Sequence, residues 1–185
     1  MSNRKSAFER AMALAALSGF KIALGPAFLA ASRRSSNTGT WALAAMGEMF
    51  LDKLGVFPPR FRPSLLIPHA LSGAWVARES MREDGVDDPT APLAGAVVAA
   101  GVSCVAPIAR IVLHRGLGIS DVLLGLGEDV LALRLGTQAT DMPMSQVAEI
   151  ARDAIEDVTG PLAPSFPSAT SMPLLSGRRA TSGNG

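Results

Sequence analysis

Two long runs of apolar residues are the strongest constraint on how this chain folds. Residues 11–32 contain one charged side chain, Lys21, and residues 93–113 contain one, Arg110. A helix needs about 20 apolar residues to cross a hydrocarbon layer of about 30 Å. Both runs reach this length, so they predict helices that lie in a bilayer rather than in a water-soluble domain.

The composition agrees with this prediction and excludes other classes of protein. Of the 185 residues, 48% are hydrophobic and 18% are charged, whereas soluble domains of similar apolar content carry about 25% charged residues. The net charge of +1 argues against nucleic acid as a partner, because a basic surface is expected there. A single cysteine, Cys104, excludes an intrachain disulfide and a zinc site built from several cysteines.

The first apolar run has two interpretations. A cleavable signal peptide has an apolar region of about 7–15 residues followed by a cleavage site of small residues. Here Lys21 interrupts a longer run and Pro26 lies inside it. We therefore expect residues 11–32 to be a retained membrane span.

The other segments complete a predicted all-α integral membrane bundle of four to five membrane elements, some of them short or re-entrant. Residues 41–57 begin as a membrane helix and end in charged residues before a segment rich in proline and arginine. Residues 64–77 are too short for a full span and suit a re-entrant or tilted helix. Residues 78–92 mix acids and bases, which predicts a solvated loop. Residues 121–136 are the last apolar segment.

Small residues recur at every fourth position in the second long run. They are Gly95, Ala99, Ser103 and Pro107. On a helix they form one stripe, along which a neighbouring backbone can approach closely. We expect this helix to lie at the centre of the bundle, with Cys104 as a packing residue.

The composition changes after residue 140. Residues 145–158 place apolar side chains at helical spacing opposite an acidic face, which predicts a short amphipathic helix on the edge of the bundle. The following residues are rich in proline, serine and glycine and predict a disordered tail. The chain thus divides into a membrane helical domain (1–140), an amphipathic helix (141–160) and a tail (161–185).

A weak internal repeat relates the two halves of the apolar part. Pro26 corresponds to Pro107 and Glu48 to Asp129, and residues 48–55 align without gaps with residues 129–136. Accidental matches in a chain rich in alanine, leucine and glycine are the alternative. If the connecting element spans the membrane, the repeats have opposite orientation; if it is re-entrant, they are parallel.

Charges inside the apolar segments are the candidate functional residues. A basic residue at the centre of a membrane helix costs about 2.5–3.5 kcal/mol, so Lys21 is expected to have an acidic partner. Glu48 and Asp52 share a helical face, where two carboxylates repel each other unless a lysine, a proton or a cation lies between them. We predict one polar site in the bundle, formed by Lys21, Glu48, Asp52, Lys53, Glu128 and Asp129.

A structural interpretation competes with this functional one. Lys21 and one carboxylate would form a buried ion pair that sets helix register, and Lys53 would reach the membrane edge. His69 and His114 suit helix packing and a helix end rather than a metal site. No phosphate-binding loop, nucleophile elbow or zinc-protease motif is present, so we expect no metal, no cofactor and no enzymatic activity.

Four segments carry a resemblance to a known family: residues 18–30 (SGFKIALGPAFLA), 48–60 (EMFLDKLGVFPPR), 69–75 (HALSGAW) and 126–133 (LGEDVLAL). Together they resemble the bacterial membrane proteins of the domain of unknown function 4126 family, over residues 11–136. The matching motif residues are Ser18, Gly19, Lys21, Glu48, Asp52, Lys53, Pro59, Arg60, Glu128 and Asp129. The chain departs from the family pattern at Met49, in the charged connector and in its C-terminal helix and tail. The resemblance implies a multi-spanning membrane protein and supplies no activity.

The favoured function is a small transport or channel-like module in which the buried charges bind an ion, a proton or a small polar solute. The alternative is a structural or assembly protein whose charges pair internally and whose C-terminal helix recruits a partner. We expect a multi-pass protein of the bacterial inner membrane. Its expected partners are the lipid bilayer, the transported ion or solute and a second copy of the chain, but no nucleic acid.

Overall fold

A computed structural model describes residues 6–54 and 63–160, and these residues form helices without any strand. The helices are α1 (Ala7–Phe20), α2 (Leu24–Ser32), α3 (Thr38–Lys53), α4 (Pro63–Glu83), α5 (Ala91–Leu117), α6 (Asp121–Thr140) and α7 (Met144–Thr159). The predicted all-α class is confirmed. The proline- and arginine-rich segment around Pro58 and the predicted tail lie outside the described residues.

The first apolar run folds as a hairpin of two helices. Between α1 and α2 the backbone of Lys21 is extended, with φ −144° and ψ 133°. α2 turns back onto α1, and the two backbones pack closely. A Cβ added at Gly25 would lie 2.7 Å from the carbonyl oxygen of Leu14. The Arg10 guanidinium, just before the run, donates to Ser32 Oγ at 3.4 Å, so the run enters and leaves at the same end. The predicted continuous span is therefore wrong.

Two residues of the sequence explain where the hairpin turns. Proline is tolerated in the first turn of a helix but not in its interior, because it lacks an N–H and its ring clashes with the carbonyl four residues earlier. Pro26 lies in the first turn of α2. Gly25 before it has no side chain, which lets the two backbones pack closely.

α4 and α5 form a long antiparallel pair. Their 21 and 27 residues correspond to lengths of about 31 and 40 Å. The backbones touch at two glycines, since a Cβ on Gly73 would lie 2.6 Å from the carbonyl oxygen of Gly95. The small-residue stripe makes this contact: Gly95, Ala99 and Ser103 are buried, whereas Pro107 is half-buried.

Three predictions about this region are wrong. Residues 64–77 are not a short element, because the helix that contains them continues to Glu83. The loop predicted over residues 78–92 is therefore shorter and comprises residues 84–90. α5 is not central either, because it packs on α4, α1 and α6 and buries only the face that carries the stripe. Its other face is open, with Leu93 71% and Val97 65% exposed.

The centre of the molecule belongs to α1. Its Leu14 and Leu17 are fully buried, and the helix packs against α2, α4, α5 and α6. α7 lies on the edge and packs mainly on α3, as predicted for an amphipathic helix. Its acidic residues are exposed and Ala154 on the opposite face is buried.

The two halves related by the internal repeat fold differently. Pro26 follows the reversal between α1 and α2, whereas Pro107 lies inside the continuous helix α5. The hairpin of the first half therefore has no counterpart in the second half. The aligned acids Glu48 and Asp129 nevertheless both lie on helices, α3 and α6.

One helix of the described part of the chain, α5, is long and apolar enough by itself to cross a membrane. Only 11% of its most apolar stretch is buried inside the protein. A bundle of four to five membrane elements is not shown by this criterion.

Candidate functional site at the tip of the hairpin

Lys21 occupies the tip of the α1–α2 hairpin and is surrounded by acidic side chains from α3 and α6. Its Nζ lies 3.2 Å from Asp52 Oδ2, 3.4 Å from Asp129 Oδ1 and 3.7 Å from Glu128 Oε1. Only 3% of the side chain is exposed. The lysine expected to need an acidic partner thus has three.

Glu48 binds the backbone of the tip instead of the lysine. Its carboxylate accepts hydrogen bonds from the N–H groups of Ile22 at 3.1 Å and Ala23 at 2.7 Å. These N–H groups precede α2 and have no partner within that helix. A carboxylate there is also favoured by the positive end of the helix dipole. Glu48 therefore caps α2 from a different helix.

Lys53 points into the site and pairs with two of the same carboxylates. Its Nζ lies 2.6 Å from Asp129 Oδ2 and 3.6 Å from Asp52 Oδ2. The two aspartates are thus shared between Lys21 and Lys53. This arrangement links the tip of the hairpin to α3 and α6 in one network of charges.

Arg110 of α5 completes the network, and the sequence interpretation missed it. Its Nη1 lies 3.3 Å from Asp52 Oδ2 and 3.9 Å from Glu128 Oε2, and its Nε bonds Asp121 at 2.6 Å. The signal was present, because Arg110 is the lone charge in an apolar run, as Lys21 is. The argument that gave Lys21 an acidic partner applies equally to Arg110.

We call these seven side chains the inner cluster: Lys21, Glu48, Asp52, Lys53, Arg110, Glu128 and Asp129. All six residues predicted from the sequence lie in it. Three of the seven side chains are cations and four are carboxylates. Each cation lies within 4 Å of at least two carboxylates of the cluster, so the ion pairs are shared.

Polar groups of α4 hold the other side of the tip. Ser72 Oγ donates to the carbonyl oxygen of Ile22 at 2.7 Å. His69, 4% exposed, has its Nδ1 2.6 Å from the carbonyl oxygen of Ser18, so Nδ1 carries the proton and donates. His69 thus makes a specific hydrogen bond, where packing alone was expected. Through these contacts the tip of the α1–α2 hairpin lies near the middle of α4. It also lies near the middle of α5, where Gly19 packs against Val102.

A second group of charges closes the open end of the hairpin. We call it the outer cluster: Arg10, Arg33, Glu79, Glu83 and Asp84. Arg10 lies 3.3 Å from Glu83 and 3.1 Å from Asp84, and Arg33 pairs with Glu79 at 3.5 Å and with Glu83. The outer cluster fastens α1 and α2 to the C-terminal end of α4.

The remaining candidate groups form no further site. Within residues 6–54 and 63–160 no group of three or more side chains is arranged to hold a metal ion. His114 is exposed at the end of α5, where a ring nitrogen bonds the carbonyl oxygen of Ile119 at 2.6 Å. Cys104 is half-buried on α5.

Comparison with protein-family models, curated proteins and solved structures finds no match to this chain. The geometry of the inner cluster and its surroundings is therefore the basis for a function.

Proposed function

We propose that this chain is a multi-pass protein of the bacterial inner membrane and that its inner cluster conducts a proton or a small cation. The observation that carries the proposal is Lys21, which lies 3% exposed at the tip of a hairpin among three carboxylates. Buried charges at the centre of an otherwise apolar bundle mark ion pathways and proton relays in membrane proteins.

Support for the membrane location comes from the outer surface of the bundle. Large apolar side chains are exposed on three helices, for example Leu71 of α4 at 66%, Ile108 of α5 at 56% and Leu123 of α6 at 62%. Soluble monomers rarely expose extended apolar surfaces. Lipid around these helices removes the cost of their contact with water.

Support for an ion pathway comes from the broken hairpin. Irregular backbone occurs at membrane depth where it is buried in protein or lines a cavity. In many transporters such broken helices form the ion site near the bilayer midplane. Here the break lies near the middle of α4 and α5, and its Lys21 faces buried carboxylates of α3 and α6.

Neutralisation of Glu128 tests conduction with little disturbance of the fold. Glu128 lies 3.7 Å from Lys21 and 3.9 Å from Arg110, and Glu128→Gln keeps a polar side chain of the same size while it removes one ionisable carboxylate. We expect wild-type protein in liposomes to dissipate an imposed pH or cation gradient and Glu128→Gln to be slower by about tenfold or more.

Glu79→Gln in the outer cluster is the matched control, and it should leave the flux unchanged. Equal flux for wild type, Glu128→Gln and empty liposomes would contradict conduction. Release of the protein from membranes by alkaline carbonate would contradict the location itself.

The second candidate is a structural or assembly protein. The observation that favours it is the extensive pairing of the inner cluster, which would fix the hairpin without any transport. α7 presents an acidic exposed face, including Glu149, Asp153 and Glu156, that a basic partner would fit. Deletion of residues 141–185 should then remove a co-purifying partner, and an unchanged pull-down contradicts this alternative.

A further inference from the structure

A cavity separate from the inner cluster lies between α2, α3, α6 and α7. It encloses about 230 Å³ and is partly open to the surroundings, and the described residues that line it all carry hydrocarbon or thioether side chains. None of these residues belongs to the inner cluster, so the cavity is a separate candidate site.

The cavity exists because three facing helices each contribute two alanines. They are Ala27 and Ala31 of α2, Ala42 and Ala45 of α3, and Ala148 and Ala151 of α7. Each pair is three or four residues apart and so lies on one face of its helix. Larger apolar residues at these positions would fill the space, as they do in ordinary cores.

The remaining wall is rich in methionine. Met46 and Met49 come from α3, and Met142 and Met144 from the connection to α7 and its start. The unbranched thioether side chain adapts to ligands of variable shape. An apolar cavity of about 150 Å³ stays dry and takes up apolar guests, and the present cavity is larger.

We infer that this cavity binds an alkyl chain. The part of the wall formed by residues 24–49 and 133–151 carries no charged side chain that could orient a polar ligand, so the bound portion is hydrocarbon. A polar head, where the ligand has one, remains outside. Two sources supply such a chain, a phospholipid of the bilayer and a free fatty acid.

Photolabelling of the full-length protein in phosphatidylcholine vesicles tests the inference. One arm uses palmitic acid with a diazirine on its chain, and the other uses phosphatidylcholine carrying the same chain. We expect saturable labelling on the inward faces of α3 and α7, at residues such as Met46 and Ile150. Competition by unlabelled palmitic acid identifies the free acid as the source; labelling by the phospholipid without competition identifies the bilayer.

Two alanines of α3 provide a matched pair of variants. Ala45 is 4% exposed on the cavity wall, whereas Ala44 is exposed and does not line the cavity. Ala45→Phe should fill the cavity and lower the saturable labelling by about tenfold, and Ala44→Phe should leave it unchanged.

Equal labelling of the two variants, or labelling that does not saturate, overturns the inference. Should Ala45→Phe fail to fold by circular dichroism, the map of wild-type labels decides. Saturable labels on the inward faces of α3 and α7 support the site, and their absence there overturns it. Flotation of the vesicles tests the membrane proposal separately, and a protein that does not float with them contradicts that proposal. The cavity is then tested by labelling the protein with the palmitic acid probe in solution without detergent.

Discussion

The inner and outer clusters contain the same kinds of side chain at opposite ends of the hairpin, but they differ in burial. The paired side chains of the inner cluster are 3–18% exposed, whereas those of the outer cluster are 23–29% exposed. Exposed ion pairs contribute about 0–1 kcal/mol, because water screens the attraction. Removing one partner of a buried pair costs about 3–5 kcal/mol, because the other charge stays buried and uncompensated.

The difference also separates two tasks that similar residues carry out. The outer cluster connects the ends of helices, where a broken pair can be replaced by water. The inner cluster lies where the backbone itself is irregular, and Glu48 and Ser72 bind the N–H and carbonyl groups that the break exposes. Loss of an inner residue therefore affects the backbone as well as the charge balance.

The largest effect is expected for Lys21→Met compared with Arg33→Met. Lys21→Met leaves three carboxylates around an apolar side chain and should lower the free energy of unfolding by about 3–5 kcal/mol. Arg33→Met removes a charge from the outer cluster and should lower it by about 1 kcal/mol or less. Denaturant unfolding of both variants measures the two values, and equal losses would remove the distinction between the clusters.

An intermediate effect is expected for Glu48→Gln. The amide has one acceptor oxygen, so one of the two hydrogen bonds from Ile22 and Ala23 is lost, with the charge that favours the start of α2. We expect a loss of about 1–3 kcal/mol and faster hydrogen exchange at these two amides. Unchanged exchange at both would show that Glu48 does not hold the tip. Glu9→Gln, which alters the exposed cap of α1, is the control.

A smaller effect is expected when salt screens the ion pairs and lowers their contribution to the free energy of unfolding. Raising the ionic strength from 0.1 to 1 M shortens the screening length from about 10 to about 3 Å. The stability difference between wild type and Glu79→Gln should then fall toward zero, whereas that between wild type and Asp129→Asn should change little. A difference for Asp129→Asn that also disappears in high salt would mean that water reaches the inner cluster.

The smallest effect concerns Asp88 in the loop between α4 and α5, near the outer cluster. Its carboxylate accepts hydrogen bonds from the Thr90 hydroxyl at 2.7 Å and the Thr90 N–H at 2.8 Å, and these bonds lower the pKa of Asp88 below its usual range. The bonds stabilise the fold at neutral pH, and this contribution is lost as the pH falls through the lowered pKa. NMR titration of Thr90→Ala should show the Asp88 pKa moving upward, and an unmoved pKa would contradict the assignment.

The sequence predicted the composition of the inner cluster better than the shape of the chain around it. Six of its residues followed from one argument, that a charge in an apolar segment needs a partner. Arg110 was missed because the small-residue stripe took precedence in the interpretation of α5. The helices α3, α6 and α7 were close to their predicted bounds, because periodicity and breakers are local signals.

The prediction exchanged the courses of two segments, residues 11–32 and residues 64–77. Hydropathy assigned the full span to the first segment and a re-entrant course to residues 64–77. In the fold the first segment turns back on itself as a hairpin and α4 runs unbroken to Glu83. Hydropathy measures which side chains avoid water and carries no information on whether the backbone turns.

The sequence by itself determined that the chain is helical and which charges had to find one another, because spacing and solvation energy depend on residue type. Only the tertiary structure decided that α1 and α2 fold back on each other. Hydropathy does not separate a straight helix from a hairpin, because it depends on residue type and not on the path of the backbone. The hairpin is selected by contacts from distant segments: Glu48 binds the freed N–H groups of Ile22 and Ala23, and Ser72 binds the carbonyl of Ile22.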